Sequence, residues 1–384
     1  MLFFIPISKA TLEVCFGWAM LLFTISLILR KDSSVFKDRV SIFLLIFFIS
    51  GFLSLFNTEF FAKSLKAIFL KWFEYIMLFF IFKEAVLRGL KPKFIFFVII
   101  VSSILVGIDG VYQFFNGKDF LMHNSLTMAT SYKPQRLVSA SMGHPNGLAN
   151  FLLFPLFLLL FNFNNCKTLK HKVINLINFT FFLIILFLTY SRGAWLGFFI
   201  SFLVIIFVIK DTKLKNYLFA VLLSILIFIF ILSSLFFKNF ITKGSFYNVT
   251  RIELWFQSLS LFKEHPIFGI GIGTFMDYSS QFVAYGALYL HNCYLQILIE
   301  QGIVGLIAFI IFVFIVIKDS IRVAFFSKNE LFLGLVFAII AFLIQIFFDN
   351  HLYSLRPSFL FWCSMGIIRG LTLKAKQDII KNST

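Results

Sequence analysis

Four polar segments of an otherwise apolar chain carry side chains able to do chemistry. Gly143-His144-Pro145-Asn146-Gly147 combines an imidazole with a turn, and Arg136 lies shortly upstream. Asn146 fits a helix cap there, while His144 and Arg136 also suit an anionic site. Tyr190-Ser191-Arg192-Gly193 places a guanidinium between two apolar stretches with almost no loop. Arg192 can snorkel from a membrane interface towards water. At a helix N-terminus, with Gly193 allowing close approach, it can instead clamp a phosphate through paired hydrogen bonds. Thr250-Arg251-Ile252-Glu253 fits a capping box, with Thr250 as cap and Glu253 reaching back. Ile252, Trp255, Phe256, Leu259 and Phe262 then recur at helical spacing and predict a short helix on or against a membrane surface. A cation gains nothing from the dipole of a first turn, so Arg251 is explained by a nearby anion or by solvation alone. Leu290-His291-Asn292-Cys293 opens a further apolar stretch. A neutral imidazole is the usual general base near neutral pH, and the other reading of His291 is a structural histidine at an interface.

Other signals are negative. The glycines of His265-Pro266-Ile267-Phe268-Gly269-Ile270-Gly271-Ile272-Gly273 have no βαβ unit around them, so they predict a tight turn near a ligand, not a dinucleotide loop. Cys15, Cys166, Cys293 and Cys363 are scattered and form no ligand spacing. No DxD, HExxH or clustered acidic set points to a metal, and no cofactor is implied. Glu74, Asp109, Glu300 and Gln345 sit inside apolar stretches but are too dispersed to outline an ion path, which weakens a transporter reading.

The elements that position these groups follow from composition. Of 384 residues, 60% are hydrophobic, 13% are charged and 60 are Phe. A soluble domain averages about 25% charged residues, so this chain could not cover its surface with polar groups in water. A soluble enzyme, a disordered chain and a disulfide-stapled secreted domain are excluded. The +17 balance would suggest nucleic acid in a soluble protein; here no nucleic-acid partner is expected, because placement shows that the excess sets membrane orientation.

Stretches of spanning length fall at about 10–29, 40–56, 64–82, 93–115, 146–162, 173–190, 193–209, 215–237, 291–317, 331–349 and 355–371. They predict an all-α, polytopic membrane protein of about 11 (10–12) transmembrane helices, one membrane domain over 1–384, with the N-terminal span retained. Twenty-one of the 34 lysines and arginines lie in six segments that form every second connection, from 30–39 to the tail after Arg369. Those six are expected to face the cytoplasm, leaving the N-terminus outside. Two external connections are long, a first loop at 116–145 and a large, partly helical loop at 238–290. Loops of that length in a compact protein are usually functional. On this topology the stretches opening at His144, Arg192 and His291 start at the external face, with their positive dipole ends outward.

Taken in order, GHPNGLANFLL, YSRGAWLG, the Arg251-to-Trp255 spacing, KEHPIFGIGIGTF and HNCYLQILIEQGIVG resemble the O-antigen ligase/polymerase superfamily, most clearly from about residue 136 to 317, and look closest to its ligase branch. The resemblance implies a metal-independent, inverting glycosyltransferase in the bacterial inner membrane with its active site facing the periplasm. Its donor would be a glycan on undecaprenyl pyrophosphate and its acceptor lipid A-core, with membrane lipids around it. Carried onto this chain, His291 would be the base, and Arg192 and Arg251 would hold the pyrophosphate. Arg136, His144, Asn146, Trp255 and Asn292 would be substrate contacts. An O-antigen polymerase using the same donor is the nearer alternative; a transporter of lipid-linked sugars is the alternative of another class. Family ligases are usually drawn with a further N-terminal helix, so the first crossing departs from the pattern.

Overall fold

The computed structural model describes residues 1–128, 136–209, 215–216, 219, 221–225, 227, 244–279, 289–327 and 329–383. The chain is an all-α multi-pass bundle. Its helices are α1 (Lys9–Arg30), α2 (Arg39–Leu53), α3 (Phe61–Ala67), which passes through a π-helical turn (Ile68–Phe73) into α4 (Glu74–Leu87), α5 (Pro92–Asn116), α6 (Pro145–Asn162), α7 (Leu169–Leu188), α8 (Arg192–Val208), α9 (Gly244–Glu264), α10 (Phe275–Ser279), α11 (Cys293–Phe326), α12 (Glu330–Gln345) and α13 (Leu355–Ser383). A two-residue antiparallel pair, β1 (Thr127–Met128) with β2 (Arg136–Leu137), closes the loop between α5 and α6.

Six of these helices are individually long and apolar enough to cross a membrane: α1, α2 with its 3-10 extension to Asn57, α5, α6, α7 and α11. Helices α8 and α12 are apolar but shorter, at 17 and 16 residues. The expected span at 215–237 falls largely outside the described residues. Eleven crossings, and the sidedness of the loops, stand as expectations.

Packing explains the boundaries that differ from those read off hydropathy. Helix α6 is almost wholly buried and forms the bundle's axis, packed on α7 and α12. Helix α13 packs along α4 through Gly366 and Gly370, spaced four apart as in close membrane-helix crossings. A Cβ on Gly370 would come 2.8 Å from the Lys83 carbonyl oxygen. Helix α12 stops at Gln345, four residues short of the expected 349, so Asp349 lies in a loop. Helix α11 is broken at Gly302, whose φ of 68° and ψ of −172° only glycine adopts easily. Into that break fits the glycine run. Ile270 N–H donates to the Ile299 carbonyl (3.0 Å), Gly271 N–H to Glu300 (3.1 Å), and Ile303 N–H to Pro266 (2.9 Å). The tight turn predicted near a ligand therefore supplies backbone partners that the broken helix lost.

The intramembrane polar groups have the same task. Asp109 accepts from the Ser141 (2.8 Å), Phe120 (2.9 Å) and Leu121 (3.3 Å) N–H groups and so fixes the α5–α6 loop. Glu300 accepts from Gly273 N–H (2.9 Å), Phe275 N–H (3.3 Å) and Gln296 Nε2 (3.0 Å).

At the end of the bundle bearing the basic segments, Arg369 makes a bidentate pair with Asp38 (2.7 and 2.6 Å) and a third bond to Asp319 (2.7 Å). Arg369 and Asp38 side chains are 2% and 6% exposed. Breaking a buried pair from one side costs about 3–5 kcal/mol, because the remaining charge stays buried alone. Arg369→Ala is therefore expected to lower the detergent-solubilised melting temperature clearly; an unchanged melting temperature would show the network to be idle.

Candidate functional site

The opposite end of the bundle gathers the N-termini of α6, α8, α11 and α13 around residues 345–354, which follow α12. Two hydrogen bonds set this loop against the His291 turn, and a third holds the turn to α9. Cys293 N–H donates to the Ile346 carbonyl (2.9 Å), Cys293 Sγ to the Asp349 carbonyl (3.2 Å), and the Trp255 indole to the Leu290 carbonyl (2.7 Å). Asn292 caps α11, its Oδ1 accepting from Leu295 N–H at 3.0 Å. His291 sits just outside that cap with φ of 51°, a left-handed conformation unusual for a side-chain-bearing residue. Such strain costs about 1–3 kcal/mol and survives only where neighbours impose it; here Trp255 and Cys293 do so.

His291 Nδ1 lies 3.2 Å from Asp349 Oδ1. The same carboxylate accepts from Asn146 Nδ2 (2.5 Å) and from Asn350 N–H (2.8 Å), and lies 3.9 Å from His351 Nε2. Burial works to raise the Asp349 carboxyl, but the neighbouring imidazoles of His351 and His291 and the bond from Asn350 N–H outweigh it and hold the group well below the usual carboxylate range. Asp349 is thus an anion under all physiological conditions. His351 is buried, and burial depresses its affinity for a proton despite Asp349, with His144 and His291 adding to the depression. Its Nε2 accepts from Gln345 Nε2 at 3.1 Å, and Gln345 also donates to the Asn146 carbonyl (3.3 Å) and accepts from Asn150 Nδ2 (2.9 Å).

Arg251 Nη1 donates to the Phe348 carbonyl at 3.2 Å. Arg192 is the first residue of α8, and at Gly193 a Cβ would come 3.2 Å from Phe348 Cβ, so the two arginines flank one short segment. Burial lowers the Arg251 proton affinity, Asp349 opposes this, and the charge of Arg192 adds to it. Two guanidinium groups held together repel, and an anion between them removes that cost. Arg192 is exposed, and among the described residues no protein group pairs with it.

A cavity of about 630 Å³ opens beside His291 and Asp349, lined also by His144 and His351. Its volume is in the usual small-ligand range. The free imidazole nitrogen, Nε2, has no protein partner among the described residues.

The structure thus gathers His291, Arg251 and Arg192 with Asn146 and His144. Several local roles differ from those read off the sequence. Helix α9 begins at Gly244, so Thr250 lies inside it and not at its N-cap, and Arg251 is not in a first turn. His144, not Asn146, is the N-cap position of α6, with Pro145 next, and the Asn146 amide is spent on Asp349. Trp255 and Asn292 hold the His291 turn by hydrogen bonds of their own. Arg136 has a described backbone, paired with Met128, but its side chain lies outside the described part.

Sequence reading missed Asp349, His351 and Gln345's bridging role. The signal available was the polar triplet Asp349-Asn350-His351 interrupting two apolar stretches. Among the described residues, no group of three His, Cys, Asp or Glu side chains is arranged to hold a metal ion.

Comparison with known families gives one result. Residues 177–310, about a third of the chain, match the family model described as O-antigen ligase. The matched segment holds Arg192, Arg251, Trp255, His291 and Asn292, while Asp349 and His351 fall beyond it. No curated protein matches the chain significantly.

Proposed function

Taking residues 177–310 as a region of the O-antigen ligase/polymerase superfamily, we propose that this protein is a periplasm-facing O-antigen ligase of the bacterial inner membrane. It transfers a glycan from undecaprenyl pyrophosphate to a hydroxyl of lipid A-core. The observation that carries this reading is the Asp349–His291 pair standing beside two guanidinium groups and an open cavity.

The chemistry follows from the geometry. With Nδ1–H donated to the Asp349 carboxylate, the His291 imidazole presents Nε2 as acceptor. Nε2 takes the proton of the acceptor hydroxyl as that oxygen attacks the anomeric carbon from the face opposite the pyrophosphate. The C–O bond to the pyrophosphate breaks, and its electron pair leaves with the phosphate oxygen. Arg192 and Arg251 neutralise the charge that accumulates there, the electrostatic contribution expected for an anionic leaving group. The configuration inverts. Asp349 stabilises the imidazolium that forms.

Against a transporter reading, the intramembrane Asp109 and Glu300 are already committed to loop N–H groups, and Gln345 is committed to the site itself. Ligase and polymerase share the donor step and differ in the acceptor. The surface glycan of a deletion strain separates them. Loss of all long chains from lipid A, with lipid-linked polymer accumulating, supports the ligase; single-repeat capping assigns the polymerase and overturns this reading. The purified protein is expected to act without ATP and at an unchanged rate in EDTA; loss in EDTA with rescue by one divalent ion would overturn the metal-free step.

A further inference from the structure

The cavity beside His291 is lined by three cations that the reaction described above leaves unused: Lys9 at the start of α1, Lys71 in the π-helical turn, and Arg356 at the start of α13. Neither Arg192 nor Arg251 lines it. The base therefore has near it a guanidinium pair and a second, separate set of cations in the cavity.

Two of the three are anomalous by themselves. Lys71 lies ten residues into the helical run that begins at Phe61, about 15 Å along its axis at 1.5 Å per residue, within the apolar sequence Phe69-Leu70-Lys71-Trp72-Phe73. An ammonium at that depth is expensive and marks function by default. It also stands in a π-helical turn, a distortion frequent at functional sites. Arg356 is 7% exposed, and its bonds run to the Ser141 carbonyl (2.5 Å), the Ile7 carbonyl (3.4 Å) and Met142 Sδ (3.8 Å), all uncharged acceptors. Its Nε is buried with no hydrogen-bond partner among the described residues. Buried guanidinium groups are ordinarily paired. Among the described residues, no carboxylate lies within ion-pair distance of Lys9, Lys71 or Arg356. The carboxylates lining the cavity are Glu13, one turn after Lys9, and Asp349, which its histidine and amide partners already occupy.

We propose that this cavity is the acceptor site and that it selects an acceptor glycan carrying a phosphate close to the hydroxyl to be glycosylated. Lys9 and Lys71 contact the anion, Arg356 supplies fixed positive potential from behind, and the hydroxyl is thereby directed at His291 Nε2. Donor and acceptor then engage separate sets of cations, which keeps their two negative charges apart. The inference rests on the ligase reading for the identity of the acceptor, but the charge preference belongs to the cavity.

Binding tests it independently of turnover. Purified lipid A-core is presented to the full-length protein in two forms, native and chemically dephosphorylated. Wild type is expected to bind the native form about tenfold more tightly, the gain of one charge-assisted contact. Lys9→Gln and Lys71→Gln, both at exposed side chains, should erase that preference, and Lys71→Arg should retain it. In steady state the same two variants should raise the KM for acceptor and leave the KM for the undecaprenyl-pyrophosphate donor where it was. Equal binding of both forms by wild type overturns the proposal. So does an increase confined to the donor KM, which would assign the cavity to the donor's phosphates. A wild-type protein that discriminates the two forms but consumes no lipid-linked donor would uphold the anionic site and sink the ligase reading instead.

Discussion

Replacing His291 by alanine is expected to slow glycan transfer by about 10²- to 10⁴-fold, the range that a positioned general base contributes. The size follows from the imidazole's lack of a substitute. Its neighbours His144 and His351 line the same cavity, but His351 is buried with Nε2 engaged by Gln345, and among the described residues His144 has no carboxylate partner to hold it. Alanine also removes the partner of Asp349 Oδ1 without removing the bonds from Asn146 and Asn350, so the loop has reason to stay in place. The measurement is transfer by purified protein, with melting temperature and yield as controls for folding. Asp349→Asn should give a smaller loss and a changed pH profile, because it leaves the imidazole in place but withdraws the charge that steadies its protonated form. A wild-type rate from well-folded His291→Ala protein would remove the histidine from the mechanism.

The second large effect is expected at Arg192. Removing one preorganised donor aimed at developing charge typically costs about 10²- to 10³-fold. Arg192→Ala should lose that much in transfer while its melting temperature stays put, because the residue is exposed and makes no hydrogen bond or ion pair among the described residues. Arg192→Lys should recover only part of the rate, since an ammonium cannot reproduce a planar two-point grip on phosphate. Arg251→Ala should be equally slow but less stable, because Arg251 also holds the Phe348 carbonyl. Equal melting temperatures for Arg251→Ala and wild type would show that contact to be dispensable. Full activity in Arg192→Ala would detach α8 from the donor.

How much could be read in advance differs by kind of residue. His291, Arg192 and Arg251 were legible because each interrupts or opens an apolar stretch, where a polar side chain needs a reason. Asp349 escaped because hydropathy averages over a window, and the expected stretch at 331–349 absorbed it. Only the departure of the chain from helix after Gln345 exposes it. Lys71 escaped for the same cause, being one charge among strongly apolar neighbours. Thr250 and Asn146 were misassigned because capping rules use a few residues of context. The start of α9 at Gly244 lies outside that context, and Asp349 is about two hundred positions away from Asn146 in the chain.

By itself, the sequence determined that this is a multi-pass helical membrane protein with basic segments at alternate connections, because burial of apolar surface and the cost of charge in lipid act on local composition. Only the tertiary structure decided which polar groups meet. It paired His291 with Asp349, kept the guanidinium groups out of the lining of the Lys71 cavity, and turned the glycine run into a patch for a broken helix. Those contacts join residues far apart in the chain, and their geometry depends on how closely the helices pack, which local composition does not specify.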